Sequence, residues 1–418
     1  MDQIHIRNNG QQVIRGQVDI SGSKNSTLPL LFSTLLASGS HIFHNVSKVK
    51  DVDTGIQLLQ GFGCEAYWKG TSLTVVVPEK IKNFTAHYDL MRTMRAGVLC
   101  LGALLSRWGQ AQVSLPGGCA IGTRPINWHI KNLKKMGATI EIQKGYIYGK
   151  SSLPLKSAQI ELDKPSVGAT QNLLMASILA EGLTEIRNAA CEPEVVDLIC
   201  YLKKMGAVIA GSGTSIITVQ GVPSLKPSEH TIIPDRIETA TLLMAGAITH
   251  GEIRVNKCFP SHLTQVIEKL EQSGFYIQQG EDWIHLKSPG KFSPVNVSTS
   301  FYPGFPTDLQ AQFMVLMTQA EGESVIKECI FENRFMHVPE LIRLNAHITI
   351  QGNTAHIYPS PLKGAVVMAT DLRASACLIL AGLAAKGETY VRRVYHLDRG
   401  YDKLERKLAL LGADIKRI

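Results

Sequence analysis

A cysteine on a glycine- and proline-rich loop is the group in this sequence whose surroundings best suit chemistry. The run Val113-Ser114-Leu115-Pro116-Gly117-Gly118-Cys119-Ala120-Ile121-Gly122-Thr123-Arg124-Pro125 has no hydrophobic period and carries an arginine at its base. Such a loop can change shape, close over a bound molecule and exclude water. A thiol with an ordinary pKa of about 8.5 gives up a proton at neutral pH, and nearby cations make it a nucleophile by favouring the thiolate. Cys119 beside Arg124 is suited to either role. The chain has eight cysteines, and the other seven, at 64, 100, 191, 200, 258, 329 and 377, are expected to be small buried apolar residues. Cys100 and Cys377 sit inside apolar helical segments and are expected to be structural. There is no C-x-x-C pair and no histidine cluster at ligand spacing, so reduced thiols are expected and neither a metal nor a cofactor.

A second group of candidates sits where apolar helices begin. Ser23-Lys24-Asn25, Arg92 with Arg95, Lys164-Ser166-Gly168, Asp235-Arg236-Glu238, Asp308-Gln310 and Asp371-Arg373 are polar starts to otherwise apolar segments. Ser23, Asp308 and Asp371, taken one at a time, read as N-caps. That reading does not account for Lys24, Arg95 or Arg373, because a cation at a helix start is unfavourable unless an anion answers it. Helix starts suit phosphate and carboxylate oxygens, so the expectation is a cleft lined by Lys, Arg and Asp.

The elements that position these residues form a repeat. A module with a period of about 70 residues recurs six times. Each copy opens with an Ala/Leu-rich helical segment, at 26–38, 93–108, 169–181, 239–250, 309–321 and 372–386, expected to end at Gly39, Gly109, Gly182, Gly251, Gly322 and Gly387. A short alternating strand follows, then an amphipathic helix, a Gly-Ala-like corner and a hairpin, as at Met136-Gly137-Ala138, Met205-Gly206-Ala207 and Leu411-Gly412-Ala413. In the fifth copy Asn345 stands at the corner, and Asn tolerates a left-handed backbone. The first helix of each copy is apolar on nearly every side and is expected inside; the second has a polar face and is expected outside. Six copies divide into two α/β domains of three, expected at 22–229 and at 1–21 plus 230–418, with the active site in the cleft between them. Spacing alone leaves the segment 4–20 open to either half.

The chain has 418 residues and 44% hydrophobic content, enough for two ordinary cores. No apolar run approaches the roughly 18 residues of a membrane span, and neither export nor a membrane partner is expected. A net charge of +8 fits a nucleic-acid surface or small anionic substrates. The basic residues are scattered and aromatics make up only 6%, which favours small anions and argues against nucleic acid.

The loop Pro116-Gly117-Gly118-Cys119-x-Ile121-Gly122-x-Arg124-Pro125 resembles that of the enolpyruvyl transferases, specifically the branch acting on UDP-N-acetylglucosamine. Further segments match in family order: Ser21-Gly22-Ser23-Lys24-Asn25, Ser166-Val167-Gly168-Ala169-Thr170, Pro234-Asp235-Arg236-Ile237-Glu238-Thr239, Phe305-Pro306-Thr307-Asp308, Phe331-Glu332-Asn333-Arg334-Phe335-Met336-His337, Asp371-Leu372-Arg373-Ala374 and Asp398-Arg399-Gly400-Tyr401. The resemblance implies two inside-out α/β barrels of three repeats each. It implies transfer of an enolpyruvyl group from phosphoenolpyruvate to a hydroxyl of UDP-N-acetylglucosamine in the cytoplasm, the first committed step towards peptidoglycan. By motif, Lys24, Asn25, Arg124, Arg373 and Arg399 would hold phosphoenolpyruvate, Cys119 would be the proton donor, and Asp308 would act on the sugar hydroxyl. Arg95, Arg124, Pro125, Ile126, Asn127, Trp128, Lys164, Pro165, Ser166, Val167, Asp308 and Ile330 would form the sugar-nucleotide site. The family commonly has Asp-Leu where this chain has Asn127-Trp128. Alternatives are the same fold acting on shikimate 3-phosphate, a nucleic-acid-binding protein, and a regulatory paralogue; oligomeric state is left open.

Overall fold

A computed structural model describes residues 2–10, 12–117 and 126–418. The chain forms two compact units, one from the described residues of 22–233 and the other from those of 1–21 and 234–418. The division falls after Ile233 rather than after residue 229, because the strand Glu229–Thr231 pairs in parallel with Gly39–His44 of the first unit.

In the first unit the repeats supply helices α1 (Lys24–Ser33), α2 (Lys50–Phe62), α3 (Cys100–Trp108), α4 (Asn127–Lys135), α5 (Val167–Ser177) and α6 (Pro193–Lys204). α1, α3 and α5 are buried nearly all round, as their unbroken apolar sequences require. α2, α4 and α6 bury one face and turn the other to solvent. α6 shows how such a helix is bounded: Pro193 stands in its first turn, where a missing N–H costs nothing, and Lys203 and Lys204 meet the negative end of its dipole.

The second unit repeats the plan with α7 (Arg236–Ile248), α8 (Thr264–Ser273), α9 (Gln310–Met317), α10 (Val338–Arg343), α11 (Leu372–Ala384) and α12 (Leu404–Leu410). The buried helices α7, α9 and α11 pack against one another. Each repeat carries one four-stranded sheet in which a parallel strand forms one edge and two antiparallel strands follow the strand after the buried helix, a hairpin in five sheets and the two chain ends in the sixth. The third sheet is typical: Gln159–Glu161 runs parallel to Leu183–Arg187, with Ile160 opposite Ile186.

The N-terminal strands complete two sheets of the second unit. In the second unit Arg15–Asp19 lies parallel to Glu252–Asn256, and Ile4–Asn8 sits between Gly387–Arg392 and Ile415–Arg417. The segment that spacing left open therefore belongs to the second unit, where both ends of the chain share a sheet. Helices inside and sheets around them make each unit an inside-out α/β barrel, the fold class expected from the sequence. Among the described residues, no helix is long and apolar enough to cross a membrane.

The inner helices mostly stop short of the glycines expected to end them. Only α3 is capped directly, by Gly109 at φ 65°. Gly39 and Gly387 instead open the strands Gly39–His44 and Gly387–Arg392. After α7 the left-handed residue is His250, at φ 53°, and Gly251 serves close approach, since a Cβ there would lie 2.1 Å from the Ile14 carbonyl oxygen. The hairpin corners follow expectation, including Asn345 at φ 70°.

Candidate active site

In the second unit the capping reading and the functional reading of the helix starts separate. Asp371 caps α11, accepting from the backbone N–H groups of Arg373 and Ala374 at 2.8 and 3.0 Å. Asp235 caps α7 in the same way, accepting from Ile237 and Glu238. Asp308 takes a different part. It lies in a 3-10 turn, Thr307–Leu309, that leads into α9, and neither the turn nor the helix has a side-chain cap. Its two oxygens accept from different guanidiniums: Oδ1 from Arg334 and Oδ2 from Arg373, each at 2.8 Å.

Arg334 and Arg373 are both buried, and charge-assisted hydrogen bonds of this kind are about twice as strong as neutral ones. Burial works against the Arg373 charge, but Asp308, Tyr401 and Asp235 outweigh it and push its pKa upward. The anion answering this helix-start cation is thus supplied by the protein. The Arg373 guanidinium lies 5.6 Å from the Tyr401 ring centre, and the Tyr401 hydroxyl is 3.0 Å from Thr241 Oγ1 and 3.3 Å from Gln312 Nε2. Arg373, Asp308 and Asp235 bring together the starts of all three inner helices of this unit. Arg399, half-buried in the 3-10 turn Val394–Arg399, is close enough to His396 to depress its pKa after burial, while Asp371 opposes that shift.

The first unit repeats the convergence. Lys24, buried at the start of α1, donates to Asp51 Oδ2 at 3.1 Å, again a counter-ion from within the unit, while Asn25 beside it is half-buried. Ser23 caps α1 by accepting from Ser26 N–H at 3.3 Å. The turn Arg95–Leu99 packs against both α1 and α5. Ser166 caps α5, accepting from Ala169 N–H at 3.4 Å, with Pro165 and Val167 half-buried on either side. Trp128 donates its indole N–H to Asp163 Oδ2 at 2.9 Å, and Lys164 Nζ stands 5.8 Å from the Trp128 ring centre. Asn127 is exposed and Ile126 half-buried. Cys119, Arg124 and Pro125 lie outside the described residues.

Several organising residues escaped the sequence reading. His129 is buried beside Arg95. Gly102 N–H donates to Asn172 Oδ1 at 2.8 Å, so the Asn172 amide nitrogen donates to His129 Nδ1 at 2.8 Å and the imidazole proton sits on Nε2. Burial first, then the Arg95 charge, pushes the His129 pKa down to about 4. Asp197 accepts from His230 Nε2 at 2.7 Å and from the Ser26 hydroxyl in the first turn of α1. Arg334 was the most accessible of these residues, since it stands in a segment that matches the family. The cysteine expectation needs correction: Cys64, Cys100, Cys258 and Cys377 are buried, but Cys200 and Cys329 are exposed and Cys191 is intermediate. Cys200 lies on the solvent face of the outer helix α6, where helical period, not residue type, decides burial.

A model of the family described as EPSP synthase (3-phosphoshikimate 1-carboxyvinyltransferase) matches residues 8–408. The chain belongs to this enolpyruvyl transferase family. Among relatives within it, the UDP-N-acetylglucosamine 1-carboxyvinyltransferase of Bdellovibrio bacteriovorus is 52% identical over 411 residues, covering 98% of this chain and 99% of the relative. The protein of the same name from Shewanella pealeana is 51% identical over the whole of both chains. Among solved structures, the enolpyruvyl transferase NikO from Streptomyces tendae superposes with a TM-score of 0.89 at 26% identity, covering 100% of this chain and 98% of that one. The EPSP synthase from Acinetobacter baumannii gives 0.77 at 19% identity over the whole of both chains, a likeness of fold.

Proposed function

We propose that this chain transfers the enolpyruvyl group of phosphoenolpyruvate to the 3-hydroxyl of UDP-N-acetylglucosamine, releasing phosphate. The observation that carries this reading is the full-length identity of 52% to a relative named for that reaction. Cys119 gives a proton to the methylene carbon of phosphoenolpyruvate while the sugar oxygen bonds to the adjacent carbon. The tetrahedral adduct then returns a proton from its methyl carbon to the Cys119 thiolate as the bond to phosphate breaks, which forms the enol ether and regenerates the thiol. Lys24, Arg124 and Arg399, with Asn25 and Arg373, hold the phosphate and carboxylate and stabilise charge through the transition state.

Asp308 receives or orients the proton of the 3-hydroxyl. Its bonds to Arg334 and Arg373 fix the orientation of the carboxylate for this role. Arg373 has guanidinium N–H groups beyond the one donated to Asp308. Arg95, the residues at 124–128 and 164–167, and Ile330 bind the nucleotide and sugar, and Trp128 is held for that purpose by Asp163. A cytoplasmic role at the first committed step of peptidoglycan precursor synthesis follows from this chemistry.

The test is phosphate release from phosphoenolpyruvate with each acceptor supplied separately. Release with UDP-N-acetylglucosamine and none with shikimate 3-phosphate is expected. The opposite pattern moves the chain to the shikimate branch, which the description of the matching family model keeps as the second reading.

A further inference from the structure

The carboxylate of Glu328 is buried, 3% exposed, and no lysine or arginine bond to it is seen among the described residues. What surrounds it is a set of neutral donors. Oε1 accepts from Thr299 Oγ1 at 2.9 Å, from Ile330 N–H at 2.8 Å and from Phe331 N–H at 3.1 Å; Oε2 accepts from Thr307 Oγ1 at 2.8 Å. The residue's own backbone is fixed from both sides by Asn353, whose carbonyl accepts from Glu328 N–H at 2.8 Å and whose amide donates to the Glu328 carbonyl at 3.0 Å. Thr299 is itself engaged, accepting from Cys329 N–H at 2.8 Å.

We propose that Glu328 is a positioning residue for the sugar-nucleotide acceptor, a buried clamp that fixes the Asp308 turn and the Ile330 loop in one arrangement. The inference rests on the proposed function, which assigns both Asp308 and Ile330 to that substrate. Two features make the clamp more than a local turn. The turn Thr307–Leu309 and helix α9 have no side-chain cap of their own, and Thr307 ties that turn to Glu328, the residue after the strand Ser324–Lys327. Three donors converge on one carboxylate oxygen, two of them backbone N–H groups of the Ile330 loop. The substitution Glu328→Gln would keep an oxygen facing those three donors and turn an NH₂ group towards Thr307, whose hydroxyl can rotate to accept.

The experiment compares Glu328→Ala, Glu328→Gln and Thr307→Val by phosphate release with each substrate varied in turn, and by amide hydrogen exchange. Loss of these buried hydrogen bonds should raise KM for UDP-N-acetylglucosamine about tenfold or more in Glu328→Ala, against about twofold or less for phosphoenolpyruvate. Thr307→Val, which cuts only the arm to the Asp308 turn, should show a smaller shift of the same kind, and Glu328→Gln should recover most of the loss. The amides of Ile330 and Phe331 should exchange faster in Glu328→Ala while α9 and α11 stay protected. Equal shifts in both KM values, or no shift, overturn the acceptor-side role. Unchanged exchange at Ile330 and Phe331 overturns the clamp whatever the substrate, whereas absence of wild-type turnover with UDP-N-acetylglucosamine overturns the proposed function and this assignment of the acceptor with it.

Discussion

Arg373 and Asp308 meet at 2.8 Å although they belong to different repeats, one in the first turn of α11 and the other in the turn before α9. The pair makes the ends of two inner helices mutually dependent, and Arg334 fixes the second carboxylate oxygen. A polar residue at the start of an apolar helix can cap that helix or bind across to another. Asp371 does the first and Asp308 the second.

Asp308→Ala removes the anion from between two buried guanidiniums. Stranding buried charge in this way costs about 3 kcal/mol, and a lower melting temperature is expected together with loss of turnover. Asp308→Asn keeps an acceptor for one arginine but no counter-charge, so only part of the stability should return, while turnover stays down by about 10²–10⁴-fold, the usual contribution of an acid–base group. Full activity in Asp308→Asn would remove the carboxylate from proton handling.

The repeat, the inner and outer helices and the corner at Asn345 were all legible because each is a statement about periodicity or about one backbone conformation. Pairings between repeats were not. Nothing in the sequence near Asp197 says that its carboxylate reaches Ser26, or that Glu328 collects donors from three separate segments, because such contacts depend on closure of the barrel. The glycines after the inner segments punctuate the chain, but only Gly109 ends its helix directly. Gly39 begins a strand, and Gly251 is required by the approach of Ile14 rather than by a helix end. The spacing that marks Lys24 and Arg373 as helix-start cations does not show that Asp51 and Asp308 bond to them inside each unit.

Close backbone approach at Gly251 gives a stability test with an internal control. Gly251→Ala would place a Cβ 2.1 Å from the Ile14 carbonyl oxygen, in the segment leading into the strand Arg15–Asp19. Separating that segment from Glu252–Asn256 should cost about 2 kcal/mol or more by urea unfolding. At Gly61, near the end of α2, a Cβ meets nothing within 4 Å, and alanine there should stabilise by about 0.5 kcal/mol through helix propensity. Equal effects of the two substitutions would contradict the packing account.

Three buried histidines set an acid limit. Burial pushes His41, His129 and His337 each down to about 4 from the ordinary value of 6.5. The unfolded chain takes up these protons as pH falls through 6.5, while the folded protein resists until about 4. Stability is therefore complete above pH 6.5 and declines between 6.5 and 4, by on the order of 3 kcal/mol for each histidine at the lower end. Unfolding free energies at pH 7.5, 6 and 5 should fall along this course before most carboxylates titrate. His41→Gln should flatten the decline; a profile level from 7.5 to 5 would contradict it.

Thiol chemistry separates Cys119 from the other cysteines. Burial pushes Cys64 up to about 12 and Cys258 up to about 11, and raises Cys100 and Cys377 well above the ordinary thiol value, so none of these four offers thiolate at neutral pH. Cys200 and Cys329 are exposed and should react with a small, indiscriminate alkylating agent under native conditions. An epoxide phosphonate shaped like phosphoenolpyruvate adds a different requirement, because its anionic head must first be held by cations close to the thiol. With that reagent the adduct should map to Cys119, and excess phosphoenolpyruvate should protect it, while Cys200 and Cys329 stay unmodified. Cys119→Ser should lose both the adduct and turnover, yet melt as the wild type does, since the proton donor has gone and the cores have not changed. Labelling of Cys200 or Cys329 by the phosphonate, or wild-type turnover in Cys119→Ser at neutral pH, would take the proton-donating role away from Cys119.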